Sequence, residues 1–414
     1  MAGAVAKRES VMEAGSNRAG EIVRVARFLG LSTLAALLLP LTGCGNFFQC
    51  ENKPACPAST GTGTGTGSSS TVDFAFVSYT NSAGNAVITG YNIAGGALTA
   101  INTVTLPFVP IAMAVNPKNN LLYVASVPGY STSPGVYDFN IGTDGTLTQA
   151  NGGAALVTDL VGAMTISPDG NYLYTVEATN QTTTQWTINS TTGGLTSSGS
   201  LLVSALSCAP TVAAPVLPEC SVAVSPKEDY VVASLGTAGD AVFPYTSTGG
   251  VPNATPFTTI PAGTSSGDFS VALDASDNVY IAQTGTITVY GLTSTGATNR
   301  GYYTYPSGSV PRSTVVDPSS KFVYTADVGL GQITGFATGT TTALTLLTGS
   351  PFTAPASVSA LGIDSTDTYL VAVGYDASAG VQLYSIAASG VLSAIKSAGT
   401  STQTQNPVLV AMSH

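Results

Sequence analysis

Five ionisable residues in the chain could converge on one reaction: Glu177, Glu219, Asp268, Arg312 and Asp327. A carboxylate can act as general base toward water, and an arginine can stabilise the oxyanion formed when that water attacks a carbonyl. In this reading Arg312, Asp327 and Glu177 are the catalytic candidates and Glu219 and Asp268 the ligand-binding ones. Read otherwise, the same residues are solvated loop charges or a local ion pair. Imidazole chemistry is close to excluded. The one histidine is His414, the last residue, which reads as a frayed end, whereas Ser-His triads and His-rich zinc sites need a positioned imidazole.

Two further patterns carry closely spaced carboxylates, "DASDN" at 274–278 and "DSTDT" at 364–368. They read either as calcium loops or as Asp-capped turns, and neither has the full ligand pattern of a calcium loop. No metal and no cofactor is expected. Trp186 and the aromatics of "RGYYTYP" at 300–306 read either as a sugar-stacking surface or as packing.

The elements that must position these residues follow from composition and repeats. Only 8% of residues are charged while Gly, Ser and Thr abound, so exposed positions must be hydroxyls, amides and backbone, which suits strands and turns. From residue 72 onward 18 acidic residues face 6 basic ones, a balance that repels phosphate backbones. Nucleic acid is therefore not an expected partner.

The stretch "FVYTADVGLGQITGF" at 322–336 has six relatives, beginning at residues 74, 121, 172, 230, 279 and 369. All but the first follow a short apolar strand that ends in a turn, as in "AMTISPDGN" and "STVVDPSSK". Turn positions 117, 168, 226, 275, 318 and 365 are spaced by 51, 58, 49, 43 and 47 residues, the spacing of propeller blades. The 343 residues from 72 to 414 divide into seven units of 49. An all-β, seven-bladed propeller of four-stranded blades is expected. Its first unit lacks an inner strand, and the C-terminal "NPVLVAMSH" should supply it and close the ring.

Five positions before each turn residue stand Ala112, Ala163, Ser221, Ser270, Ser313 and Ala360, all small, and the alternate positions are apolar. Both faces of the inner strand therefore read as buried, with small side chains letting blades converge on the axis. Residues just before an inner strand and just after the next strand share one face of the ring. That would gather Glu177, Glu219, Asp268, Arg312 and Asp327 at one mouth, with Phe322 to Ala326 as a strand and Asp327 in the loop after it.

The repeats "SPDGNYLYTVEATN" from 167 and "VPRSTVVDPSSKFVYTADVG" from 310 resemble the seven-bladed lactonase-like propellers, which include 6-phosphogluconolactonases of that fold and proteins with YVTN-type repeats. The resemblance implies that Pro311-Arg312 and Asp327 stand where such enzymes act on a sugar lactone. The histidines common in those sites are missing from this domain. The leading expectation is a binding or interaction platform for a protein or glycan, with sugar-lactone hydrolysis as the alternative.

At the N-terminus, Lys7, Arg8, Arg18, Arg24 and Arg27 precede an apolar run at 28–40 and "LTGC" at 41–44. The order is that of a secretory signal, and it resembles the lipobox of bacterial lipoproteins, with Cys44 as the lipidated first mature residue. Residues 1–43 then form the signal peptide, 44–71 a Gly/Thr/Ser-rich tether and 72–414 the propeller. Expected partners are a membrane, reached through lipid on Cys44, and the platform's ligand, in an exported, lipid-anchored setting of the bacterial cell envelope. Cys50 with Cys56 and Cys208 with Cys220 read as two local disulfides.

Overall fold

In a computed structural model of the chain, the residues described are 73–126, 134–177, 182–202, 220–261, 268–339, 344–375, 380–395 and 407–414. The signal, Cys44, Cys50, Cys56, the tether, Cys208 and Glu219 lie outside them.

The described strands form seven antiparallel sheets, each in the order inner, second, third and fourth strand. The inner strands of blades 2 to 7 are Pro110–Val115, Val161–Ile166, Ser221–Val224, Asp268–Leu273, Pro311–Val316 and Val358–Ile363. Blade 1 takes its inner strand from the C-terminus. Pro407–Met412 pairs with Asp73–Thr80, with Ala75 opposite Met412 and Phe76 opposite Ala411. The Phe74 N–H donates to Ser413 Oγ at 2.7 Å and the Ser413 N–H returns to the Phe74 carbonyl at 2.9 Å. The ring is thus closed as the repeats require.

Apolar burial is divided among the blade interfaces. Seven clusters of buried side chains lie one at each interface, such as Phe74, Phe76, Leu122 and Phe139 between blades 1 and 2. Polar fasteners cross the same seams. Tyr123 Oη donates to the Gly193 carbonyl at 2.8 Å, and Tyr324 Oη to the Gly390 carbonyl at 2.7 Å. The small inner-strand residues have a second duty there. Ser270 Oγ accepts the Thr314 N–H of the next blade at 2.8 Å, and Ser313 Oγ accepts the Leu361 N–H at 3.2 Å.

The hairpins between inner and second strands repeat one device. The residue after each inner strand (Asn116, Ser167, Ser225, Asp274, Asp317 or Asp364) turns its side-chain oxygen back on the loop's N–H groups. Asp364 Oδ1, for example, accepts from Thr368 at 2.8 Å and Tyr369 at 2.7 Å. A left-handed residue completes the turn, with φ of 62° at Glu228 and 57° at Asp277 and Asp367. "DASDN" and "DSTDT" are turns of this kind, and Asp274 and Asp364 are engaged in holding them.

Two expectations need correction. The small positions Ala112, Ser221, Ser313 and Ala360 are half-buried rather than buried, because seven inner strands leave an open channel on the axis. Blade 6 carries its fourth strand in two pieces, Thr345–Leu346 and Phe352–Thr353, both paired to Gln332–Ala337.

Candidate functional site

The channel has an entry end, where inner strands begin, and a hairpin end, where they turn. At the entry end the pairing between inner and second strands skips one residue at the same place in blade after blade. Ile111, Gly162, Phe269, Arg312 and Ser359 are each left out of the ladder, and Val408 is skipped in blade 1. A β-bulge frees one residue from the ladder and re-aims its side chain. The five bulge residues, joined by Cys220 of blade 4, line a cavity of about 350 Å³ at the axis.

Arg312 is the one charged side chain among the described residues lining that cavity. Its guanidinium carbon lies 4.0 Å from the ring centre of Phe269, the bulge residue of the neighbouring blade. A cation over an aromatic face is held by the ring quadrupole and keeps its plane in place. Serines 221, 270, 313 and 359 add hydroxyls around it.

The register puts Glu177 opposite Val161, Asp327 opposite Pro311 and Asp268 opposite Gln283, so all three carboxylates stand at the entry end. They are not lining residues of the cavity. Asp327 is the last residue of the strand Phe322–Asp327 rather than part of the loop, and it is fully buried. Its carboxylate accepts the Ser309 hydroxyl at 2.6 Å, the Val310 N–H at 2.9 Å and the Leu330 N–H at 3.1 Å. It therefore ties the loop entering blade 6 to the loop leaving its second strand. Glu177 is buried and accepts the Thr184 hydroxyl at 3.0 Å. Beside it, Asp159 has its pKa raised by burial and then by the charge on Glu177.

Asp268 is also buried and accepts a hydrogen bond from Gln283 Nε2. Within reach of its charge is Asp240, the first residue of the third strand of blade 4, which is 1% exposed. Burial, followed by the charge on Asp268, pushes Asp240 well above the usual carboxylate range. Burial pushes Asp268 to about 6 against the lowering bond from Gln283. Two carboxyls enclosed together share a proton before both ionise.

Of the remaining candidates, only Cys220 lines the entry cavity. His414 is at the hairpin end and is pinned rather than frayed. Its N–H donates to Asn119 Oδ1 at 2.7 Å, and Asn119 Nδ2 donates to its carbonyl. Trp186 is packed between blades 2 and 3 with its indole N–H on Thr175 Oγ1 at 2.9 Å, and Tyr303 and Tyr305 pack on Phe336. Cys220, 2% exposed, borders the entry cavity.

Sequence reasoning missed Phe269, Asp159 and Asp240. Phe269 was within reach: it occupies the same column of the repeat as Arg312, six residues before the turn position. Asp240 and Asp159 leave no such mark.

A ring of seven four-stranded blades around a bulge-lined channel defines a seven-bladed β-propeller. Residues 128–327 match the family model described as "Lactonase, 7-bladed beta-propeller", a likeness that covers a little under half of the chain. Among solved structures it is similar to the periplasmic gluconolactonase PpgL of Pseudomonas aeruginosa, at 13% identity and a TM-score of 0.62, over 83% of this chain and 99% of that one. Candidate 6-phosphogluconolactonases are comparably similar. The one from Bacteroides uniformis is 16% identical with a TM-score of 0.63 over 82% and 99% of the two chains. The one from Bacteroides fragilis is 14% identical with a TM-score of 0.62 over 84% and 99%. At these identities the likeness is one of fold. No curated protein matches the chain by sequence.

Proposed function

We propose that the propeller is a binding module whose entry cavity takes a small anionic, hydroxyl-rich ligand of the sugar-acid class. The observation that carries this is Arg312, set by a β-bulge into the cavity as its charged lining residue and backed by Phe269. A guanidinium offers a fixed fork of donors for a carboxylate or phosphate, and surrounding serine hydroxyls suit a polyol. Binding is favoured over turnover by the employment of the carboxylates, since Asp327 and Glu177 already accept hydrogen bonds from their own blades.

The second reading is sugar-lactone hydrolysis, favoured by the match to the lactonase family and by the names of the fold's neighbours. Titration calorimetry with gluconate and 6-phosphogluconate, alongside a sugar-lactone panel, separates the two. Binding predicts heat of association that falls about 10-fold or more in affinity in Arg312→Ala, on the order of 1.4 kcal/mol, and no lactone turnover. Turnover by the intact chain, lost in the same variant, would establish the hydrolase instead.

The chain is further proposed to be an envelope lipoprotein held through Cys44, supported by the basic, apolar and "LTGC" order of residues 7–44. A gluconolactonase of similar fold is itself periplasmic. Cys208 and Cys220 are proposed as one disulfide and Cys50 and Cys56 as another. Mass spectrometry of the N-terminal peptide tests the anchor: an unlipidated Cys44 in membrane-expressed protein would end the idea.

A further inference from the structure

The hairpin end of the channel holds a second chamber, about 700 Å³ in volume, whose chemistry is the reverse of the entry cavity. Two residues before each turn position stands one large aliphatic side chain per inner strand, from Val115 in blade 2 to Ile363 in blade 7, with Met412 filling the place in blade 1. All seven line the chamber. The rim carries prolines from four hairpins, Pro117, Pro168, Pro226 and Pro318.

No Lys or Arg is among the chamber's described lining residues. The carboxylate there, Asp317, is buried and already accepts from Lys321, Phe322 and Ser319. His414, exposed at the rim, supplies an imidazole. Met113, Val315, Leu361 and Val410 line both chambers and form an apolar neck between them.

We propose that the hairpin-end chamber binds a small, uncharged and chiefly apolar molecule, seated on the collar of aliphatic side chains, with Thr165, Ser167, Ser320 and His414 as polar groups of the lining. The volume is that of a small-molecule pocket, and its place on the axis inside a closed ring excludes a flat macromolecular surface. Water filling such a collar would find few hydrogen-bond partners, whereas apolar cavities accept apolar guests. A charged ligand would have to leave water for aliphatic walls without a counter-ion. The proposal is independent of the entry-cavity reading.

The test is titration of the full chain with the neutral dye N-phenyl-1-naphthylamine, together with crystals pressurised with xenon. We expect saturable dye binding that weakens at least 10-fold in Val224→Asp and is unchanged in Arg312→Ala, and xenon density inside the collar of the unaltered protein. Dye binding that survives Val224→Asp in a folded variant would overturn the proposal. So would a chamber without xenon, a result that needs no variant to fold.

Discussion

The two ends of the channel are built from the same seven strands and follow opposite rules. At the hairpin end an Asn, Ser or Asp caps each of six turns through the same hydrogen bonds, and a left-handed residue follows it. At the entry end the corresponding column reads Ile111, Gly162, Cys220, Phe269, Arg312 and Ser359, with no common chemistry. The turn column is constrained because each cap must accept the N–H groups of its own loop. The bulge column is outside the ladder, so backbone pairing places no demand on its side chains. In this fold the repeat builds the ring, and the departures from the repeat at the bulges are where a ligand can be selected.

That contrast is most exposed at Asp327 and Arg312, which are neighbours in the entry-end pairing of blade 6 but belong to the two different classes. Asp327→Ala would strand the Val310 and Leu330 N–H groups and the Ser309 hydroxyl, and should cost about 3 kcal/mol in urea unfolding. Asp327→Asn keeps an acceptor oxygen and should cost about 1 kcal/mol. Arg312→Ala should cost about 1 kcal/mol through the lost packing on Phe269, while lowering the proposed anion affinity about 10-fold or more. An Asp327→Ala protein as stable as the parent would mean that this carboxylate is not a structural tie, and would reopen it as a base.

The hairpin end supplies the matching experiment. Asp317→Ala removes the acceptor for Lys321, Phe322 and Ser319 and should cost about 2 kcal/mol. The same change at Ser225, whose hydroxyl accepts from Asp229 and Tyr230 at 2.9 and 3.1 Å, should cost about 1 kcal/mol. Equal and negligible losses at both would show that the turns are held by their flanking strands alone.

Most of the architecture was legible because it is written seven times. The blade period, the closing strand and the shared face of Glu177, Asp268 and Asp327 all follow from aligning copies. The employment of those residues was not legible. Asp327 stands in a run that reads the same whether its carboxylate faces solvent or accepts three hydrogen bonds, because its donors, Ser309, Val310 and Leu330, arrive from two loops with no repeat pattern. Bulges also elude a two-residue period, since the skipped residue is recognised only from the partner strand's register.

The buried pair Asp240 and Asp268 makes the entry end sensitive to pH. Both carboxyls have folded pKa values raised above the ordinary 3.8. The folded state therefore holds protons that the unfolded chain releases, and stability is fully present below about 3.8. It is lost as pH rises through about 6 for Asp268, and further as Asp240 ionises. Asp240→Asn removes one of the two charges, so its melting temperature relative to the parent should rise by about 3 °C between pH 4 and pH 8 in scanning calorimetry. A difference that stays constant over that range would mean that the pair does not titrate with folding.

The smallest effect is expected where the ring closes at the hairpin end. Asn119 exchanges two hydrogen bonds with the backbone of His414, one of them at 2.7 Å, across the seam between blades 1 and 2. Both groups are exposed to water, which can replace the lost partner, so Asn119→Ala should cost less than about 1 kcal/mol. The closing strand is held chiefly by its ladder to Asp73–Thr80 and by Ser413, which exchanges bonds with Phe74 in a buried setting. Amide hydrogen exchange distinguishes the two contributions: Asn119→Ala should speed exchange at Ser413 and His414 while leaving Leu409 to Met412 protected. Loss of protection along the whole strand would show that the closure depends on this exposed latch.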